Sequence, residues 1–109
     1  MLNDTASIKQ ALQDNQATVK YGDVEVGQSY PLYGMITKFI DDRPGRVVAE
    51  LNYGQIVAEF AIPDKAAIER LKARAFDPGI FVATVDQKSP QVRVSCSTVI
   101  FGTKSEYSA

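Results

Sequence analysis

Two short apolar alternations on either side of Tyr53 and Gly54 constrain the fold of this chain more than any other feature. With those two residues as a hairpin loop, Leu51 lies opposite Ile56, Ala49 opposite Ala58 and Val47 opposite Phe60, and all six side chains share one face. A slip of one residue would turn one apolar set to solvent, so the register is well specified. Arg46 to Asn52 and Gln55 to Ile62 are therefore read as the second and third strands. Tyr at the first turn position is a poor fit to a type I′ turn, which leaves the turn type open but not the hairpin.

The same test identifies a second hairpin. Pairing Val85 with Val92 sets Phe81, Ala83 and Val85 on the face of Val92, Val94 and Cys96, giving strands from Ile80 to Asp86 and from Gln91 to Phe101 joined by a loop with Lys88, Ser89 and Pro90. Upstream, Tyr30 to Ile40 reads as a long first strand interrupted at Gly34, where a missing side chain permits a bulge or bend. Asp41, Asp42, Arg43, Pro44 and Gly45 read as a loop. Between the hairpins the period becomes helical: Pro63 opens a helix, Asp64 suits its first turn, Ile68, Leu71 and Ala75 form one face, and Asp77, Pro78 and Gly79 stop it. Near the start, Thr5 or Ser7 caps a short helix whose apolar stripe is only Ile8 and Leu12 with Ala11 beside them, too narrow to stand alone in water.

A length of 109 residues suits one core. The division expected is an arm over residues 1–28, a body over 29–104 and a tail over 105–109. Hydrophobic residues at 45% and charged residues at 23% argue against wholesale disorder. Histidine is absent and cysteine occurs once, which removes the Ser-His and Cys-His nucleophile pairs, His-ligated zinc and an internal disulfide. Cys96 reads as a small interior filler with no base to activate it. Asp41 and Asp42 fall short of the oxygen set a calcium ion needs, and no phosphate-binding glycine pattern is present. The expectation is a protein without enzymatic activity, metal or cofactor, soluble and cytoplasmic, without a membrane span. Charge is uneven, −2 over residues 1–28 and +2 over residues 29–104.

Three strands, one helix and two more strands, with a long bent first strand, resembles the OB-fold, a five-stranded Greek-key barrel with its helix between strands three and four. The resemblance is one of topology over residues 29–104. It implies binding of single-stranded DNA or RNA on the face of strands two and three, in a groove framed by Arg43 in the first loop and Lys88 in the last. Lys38, Arg46 and Arg93 complete a candidate phosphate-tracking patch, and Tyr53 a candidate stacking platform. The acids Glu50 and Glu59 on the same face oppose that reading, because they would meet phosphate. The alternative is a protein-interaction or oligomerisation module using Val48 and Val57, which the hairpin register places on the outer face.

Overall fold

A computed structural model describes residues 24–102 and 104–109. The elements in chain order are β1 (Ser29–Gly34), β2 (Ile36–Arg43), β3 (Arg46–Leu51), β4 (Ile56–Phe60), α1 (Lys65–Lys72), β5 (Gly79–Gln87), β6 (Val92–Phe101) and β7 (Lys104–Ser108). They form one seven-stranded sheet in the order β1-β5-β6-β4-β3-β2, with β7 paired to β6 off that path. All pairings are antiparallel except β4 with β6, which is parallel. The fold is thus mainly β with one helix among the described residues. The arm helix expected over Thr5 to Leu12 lies outside them.

The first hairpin has the register read from its apolar pattern, Leu51 with Ile56, Ala49 with Ala58 and Val47 with Phe60. The second keeps the expected faces with its register moved by two: Val85 pairs with Val94, not Val92, and Ala83 with Cys96. A shift of two preserves which side chains face inward, so the apolar pattern alone does not distinguish the two pairings. Register breaks after Val82 and after Val85 absorb the difference.

Four other expectations need correction. The long first strand is two strands, and the break falls at Met35 instead of Gly34. Asn52 explains it: its backbone N–H donates to the Met35 carbonyl at 2.9 Å and its Oδ1 accepts from the Met35 N–H at 3.0 Å, so Met35 is bonded to the hairpin turn. Gly34 makes room for that amide, since a Cβ there would stand 2.7 Å from Asn52 Nδ2. The sheet is accordingly a seven-stranded one that does not close as a five-stranded barrel; its end strands β1 and β2 are consecutive in the chain. The supposed loop over Asp41 to Arg43 is the end of β2, and the turn narrows to Pro44 and Gly45. Most of the supposed tail is β7, whose Tyr107 is 7% exposed and packs edge-on to Phe60 at 5.9 Å.

The inward faces of the strands and the buried side of α1, Ile68 and Leu71, make one core that also takes in Val24, Leu32, Phe60, Phe81, Phe101 and Cys96. Asp64 caps α1 by accepting from the Ala66 N–H at 2.8 Å, which makes Pro63 the residue before the cap.

Candidate binding groove

Outward-facing positions of β2, β3, β4 and β6 line up across the sheet in rows. Lys38 pairs with Glu50, Glu50 with Val57 and Val57 with Arg93; in the next row Asp41 pairs with Val48, Val48 with Glu59 and Glu59 with Ser95. Cross-strand neighbours stand about 5 Å apart at Cβ. Each valine is therefore flanked on both sides by longer polar side chains.

This surface is concave. A hollow of about 540 Å³ is lined by Lys38, Ile40, Asp41, Arg46, Val48, Glu50, Val57, Gln91 and Arg93. A smaller one of about 220 Å³ shares Arg46, Val48, Val57 and Arg93 and adds Glu59, Asp86, Gln87 and Val94. Of the expected patch the groove brings together Lys38, Arg46 and Arg93. Arg43, Tyr53 and Lys88 do not line it. Tyr53 is 76% exposed in a left-handed turn conformation at φ 58°, its backbone N–H donating to Thr37 Oγ1 at 2.9 Å.

Val48 and Val57 require a correction. They point outward as expected, yet they are 7% and 6% exposed and belong to neither apolar cluster. The flanking side chains cover them, so they form a narrow apolar floor, not an open apolar patch. Lys38 points outward because the register of β2 breaks between Ile36 and Lys38.

Lys38, Arg43 and Arg46 are already partnered. Asp41 accepts from Arg43 Nε at 3.0 Å and Nη2 at 2.8 Å and lies 3.8 Å from Arg46 Nη1. Arg46 Nε also donates to Glu59 at 2.9 Å, and Lys38 Nζ stands 4.0 Å from Glu50. The hydrogen bond from Arg43 holds the Asp41 carboxyl below its ordinary value and raises the guanidinium in turn. Lys72 on α1 does the same for Asp42 across 2.7 Å. Among the described residues Arg93 and Lys88 have no ion pair. Counting both hollows, three cations meet four carboxylates: Lys38, Arg46 and Arg93 against Asp41, Glu50, Glu59 and Asp86.

At one end Gln91 ties two loops together, its Nε2 donating to the Gly54 carbonyl at 2.5 Å while its own carbonyl accepts from Gln87 Nε2 at 3.2 Å. No sequence signal singles out Gln91. Ile40, 55% exposed, lies two residues beyond Lys38 on the same strand, and sequence reasoning missed it because the outward direction of Lys38 depends on the register break before it. Cys96 lies in the core, where burial pushes its thiol pKa far up and removes it as a nucleophile. No protein-family model, curated protein or solved structure matches the chain.

Proposed function

We propose that this protein is a non-enzymatic binding module that takes an extended polypeptide segment of mixed charge along the groove of β2, β3, β4 and β6. The observation that carries the reading is the charge balance of that groove: alternating acids and bases over the apolar floor of Val48 and Val57, with carboxylates in excess. An extended peptide places successive side chains about 3.3 Å apart on alternate sides, so it can match such rows with opposite charges and set a small apolar side chain over each valine.

In the fold reading that accompanies this, β1 and β2 are the two halves of a bent first strand in an OB-like strand order. Its support is the strand path, which begins at β1 and ends at β2 across one residue, the parallel β4–β6 pair, and the position of α1 before β5. That likeness, with the cations Arg93 and Lys88, which have no ion pair among the described residues, favours single-stranded DNA or RNA as a second reading. Against it stand the four carboxylates and the absence of an aromatic ring from the lining.

Fluorescence anisotropy separates the two. A labelled peptide of Lys-Ser-Val-Ser-Glu-Ser repeats, which presents Lys, Val and Glu on one face, should bind with a shallow salt dependence and lose at least tenfold in affinity in Arg93→Glu or Val57→Lys, with circular dichroism confirming that the variants fold. Binding of labelled oligo-dT or oligo-U that collapses between 50 and ~200 mM salt, with none of the peptide, would replace the polypeptide reading by the nucleic-acid one.

A further inference from the structure

The charges of the groove are not equally available to a ligand. Asp41 accepts from two nitrogens of Arg43, Arg46 donates to Glu59 at 2.9 Å, and Asp86 accepts from Ser95 Oγ at 2.6 Å. A ligand that addresses these groups must break or share an existing hydrogen bond, so they discriminate weakly between ligands. Two charges stand apart. Among the described residues Arg93 has no ion pair and the Glu50 carboxylate accepts no hydrogen bond; its ion-pair partner, Lys38 Nζ, is 4.0 Å away on a side chain that is 70% exposed. These two charges share one row of the sheet. Glu50 pairs with Val57 and Val57 with Arg93, so the row reads acid, valine, base across β3, β4 and β6, and all three line the larger hollow. Adjacent strands lie about 4.8 Å apart, which sets Glu50 and Arg93 about 10 Å apart at the backbone with the buried Val57 between them.

We propose that Glu50 and Arg93 determine the specificity of the groove, selecting segments in which a basic and an acidic residue flank one small apolar residue, each two positions from it. This rests on the polypeptide reading of the groove. In an extended segment, residues two apart project from the same side about 6.6 Å along the chain, so the basic and acidic residues stand about 13 Å apart. The excess of about 3 Å over the spacing of Glu50 and Arg93 is taken up by the long, rotamer-rich side chains on both partners. The basic residue then meets Glu50, the acidic one Arg93, and the small apolar one stands over Val57. Each end charge gains a partner that no hydrogen bond has already claimed, whereas a like charge at either end would face an uncompensated one. The row imposes no chain direction, so the same residues in reverse order dock with the segment running the other way.

Three labelled heptapeptides test the assignment by fluorescence anisotropy on the full chain: Ser-Lys-Ser-Val-Ser-Glu-Ser, its version with Lys replaced by Glu, and its version with Glu replaced by Lys. At about 150 mM salt, where long-range attraction is screened, the mixed peptide should bind at least about tenfold more tightly than either like-charged one. In Arg93→Glu the preference should move to the peptide with two lysines, and in Glu50→Lys to the one with two glutamates. In Asp86→Asn, which removes a carboxylate already bonded to Ser95, it should stay with the mixed peptide. Circular dichroism checks that each variant folds. Equal binding of all three peptides by the native chain, or a preference that the two reversals leave unmoved, overturns the assignment while the polypeptide reading stands. Binding of none of the three overturns the polypeptide reading with it.

Discussion

Two glycines on this sheet are required by close approach, and their neighbours differ in how far they can yield. A Cβ at Gly79 would stand 2.7 Å from the Ile100 carbonyl oxygen, fixed backbone of the adjacent strand, whereas at Gly34 it would meet the side-chain amide of Asn52. Gly79→Ala should therefore cost more, about 2–3 kcal/mol in urea denaturation, while Gly34→Ala should cost about 1 kcal/mol, mainly by disturbing the Asn52 contact with Met35. Equal losses would mean that Asn52 is as immobile as backbone. The acids of β2 make a second prediction. Lys72 donates to Asp42 and holds its carboxyl below 3.8. A carboxylate with a lowered folded-state pKa adds stability above its unfolded value and loses it as pH falls through the folded one. In Lys72→Ala the Asp42 titration followed by carboxyl-carbon NMR should rise back toward 3.8, and an unmoved midpoint would show that the tether from α1 to β2 is not formed in solution.

The element that most changes the account of the molecule is β7. It brings Tyr107 against Phe60, and the phenol oxygen accepts from the Ala61 N–H at 3.2 Å and donates to the Cys96 carbonyl at 3.5 Å. Glu106 faces α1, with Arg74 Nε 3.3 Å from its Oε1 and the Arg74 guanidinium 5.0 Å above the Phe101 ring. Tyr107→Ala should cost about 3–5 kcal/mol as a large core deletion, and Tyr107→Phe about 0.5–1.5 kcal/mol through the lost hydrogen bonds; a loss below ~1 kcal/mol for the alanine variant would place β7 outside the cooperative unit. Sequence reasoning recovered elements whose apolar residues alternate against a partner, β3, β4, β5 and β6, and found α1 by the helical spacing of Ile68 and Leu71, although it placed Asp64 in the first turn and not at the cap. It missed β7 because Lys104 to Ser108 contains a single bulky apolar residue, too few for a period. It took Asp41 to Arg43 for a loop because carboxylates disfavour strands by propensity, although here ion pairs to Arg43, Arg46 and Lys72 hold them on β2. Three of the five groove cations expected, Lys38, Arg46 and Arg93, do line the hollow. Their neutralisation was not legible, since which acid meets which base depends on the breaks in the β2 register.

Across the whole molecule the same charge pairing governs what the groove accepts. If carboxylates are what exclude phosphate, the double variant Glu50→Gln and Glu59→Gln, which leaves Arg46 and Lys38 with fewer partners, should bind labelled oligo-dT at low salt at least several-fold more tightly than the native chain, with a steeper salt slope. Unchanged binding would assign the exclusion to the missing aromatic platform. The strand path has a consequence of another kind. Both ends of the sheet are built from one stretch, Ser29 to Arg43, joined at Met35, and while β2 needs only its neighbour β3, β1 pairs with β5, so that Ser29 meets Thr84. During synthesis β2, β3 and β4 can associate as soon as they emerge, but β1 must wait with an open edge until more than half of the remaining chain has been made. Refolding should accordingly be set by a late, long-range closure, on the millisecond-to-second scale of non-local β topologies, and that waiting edge is where the nascent chain is most exposed to pairing with another molecule.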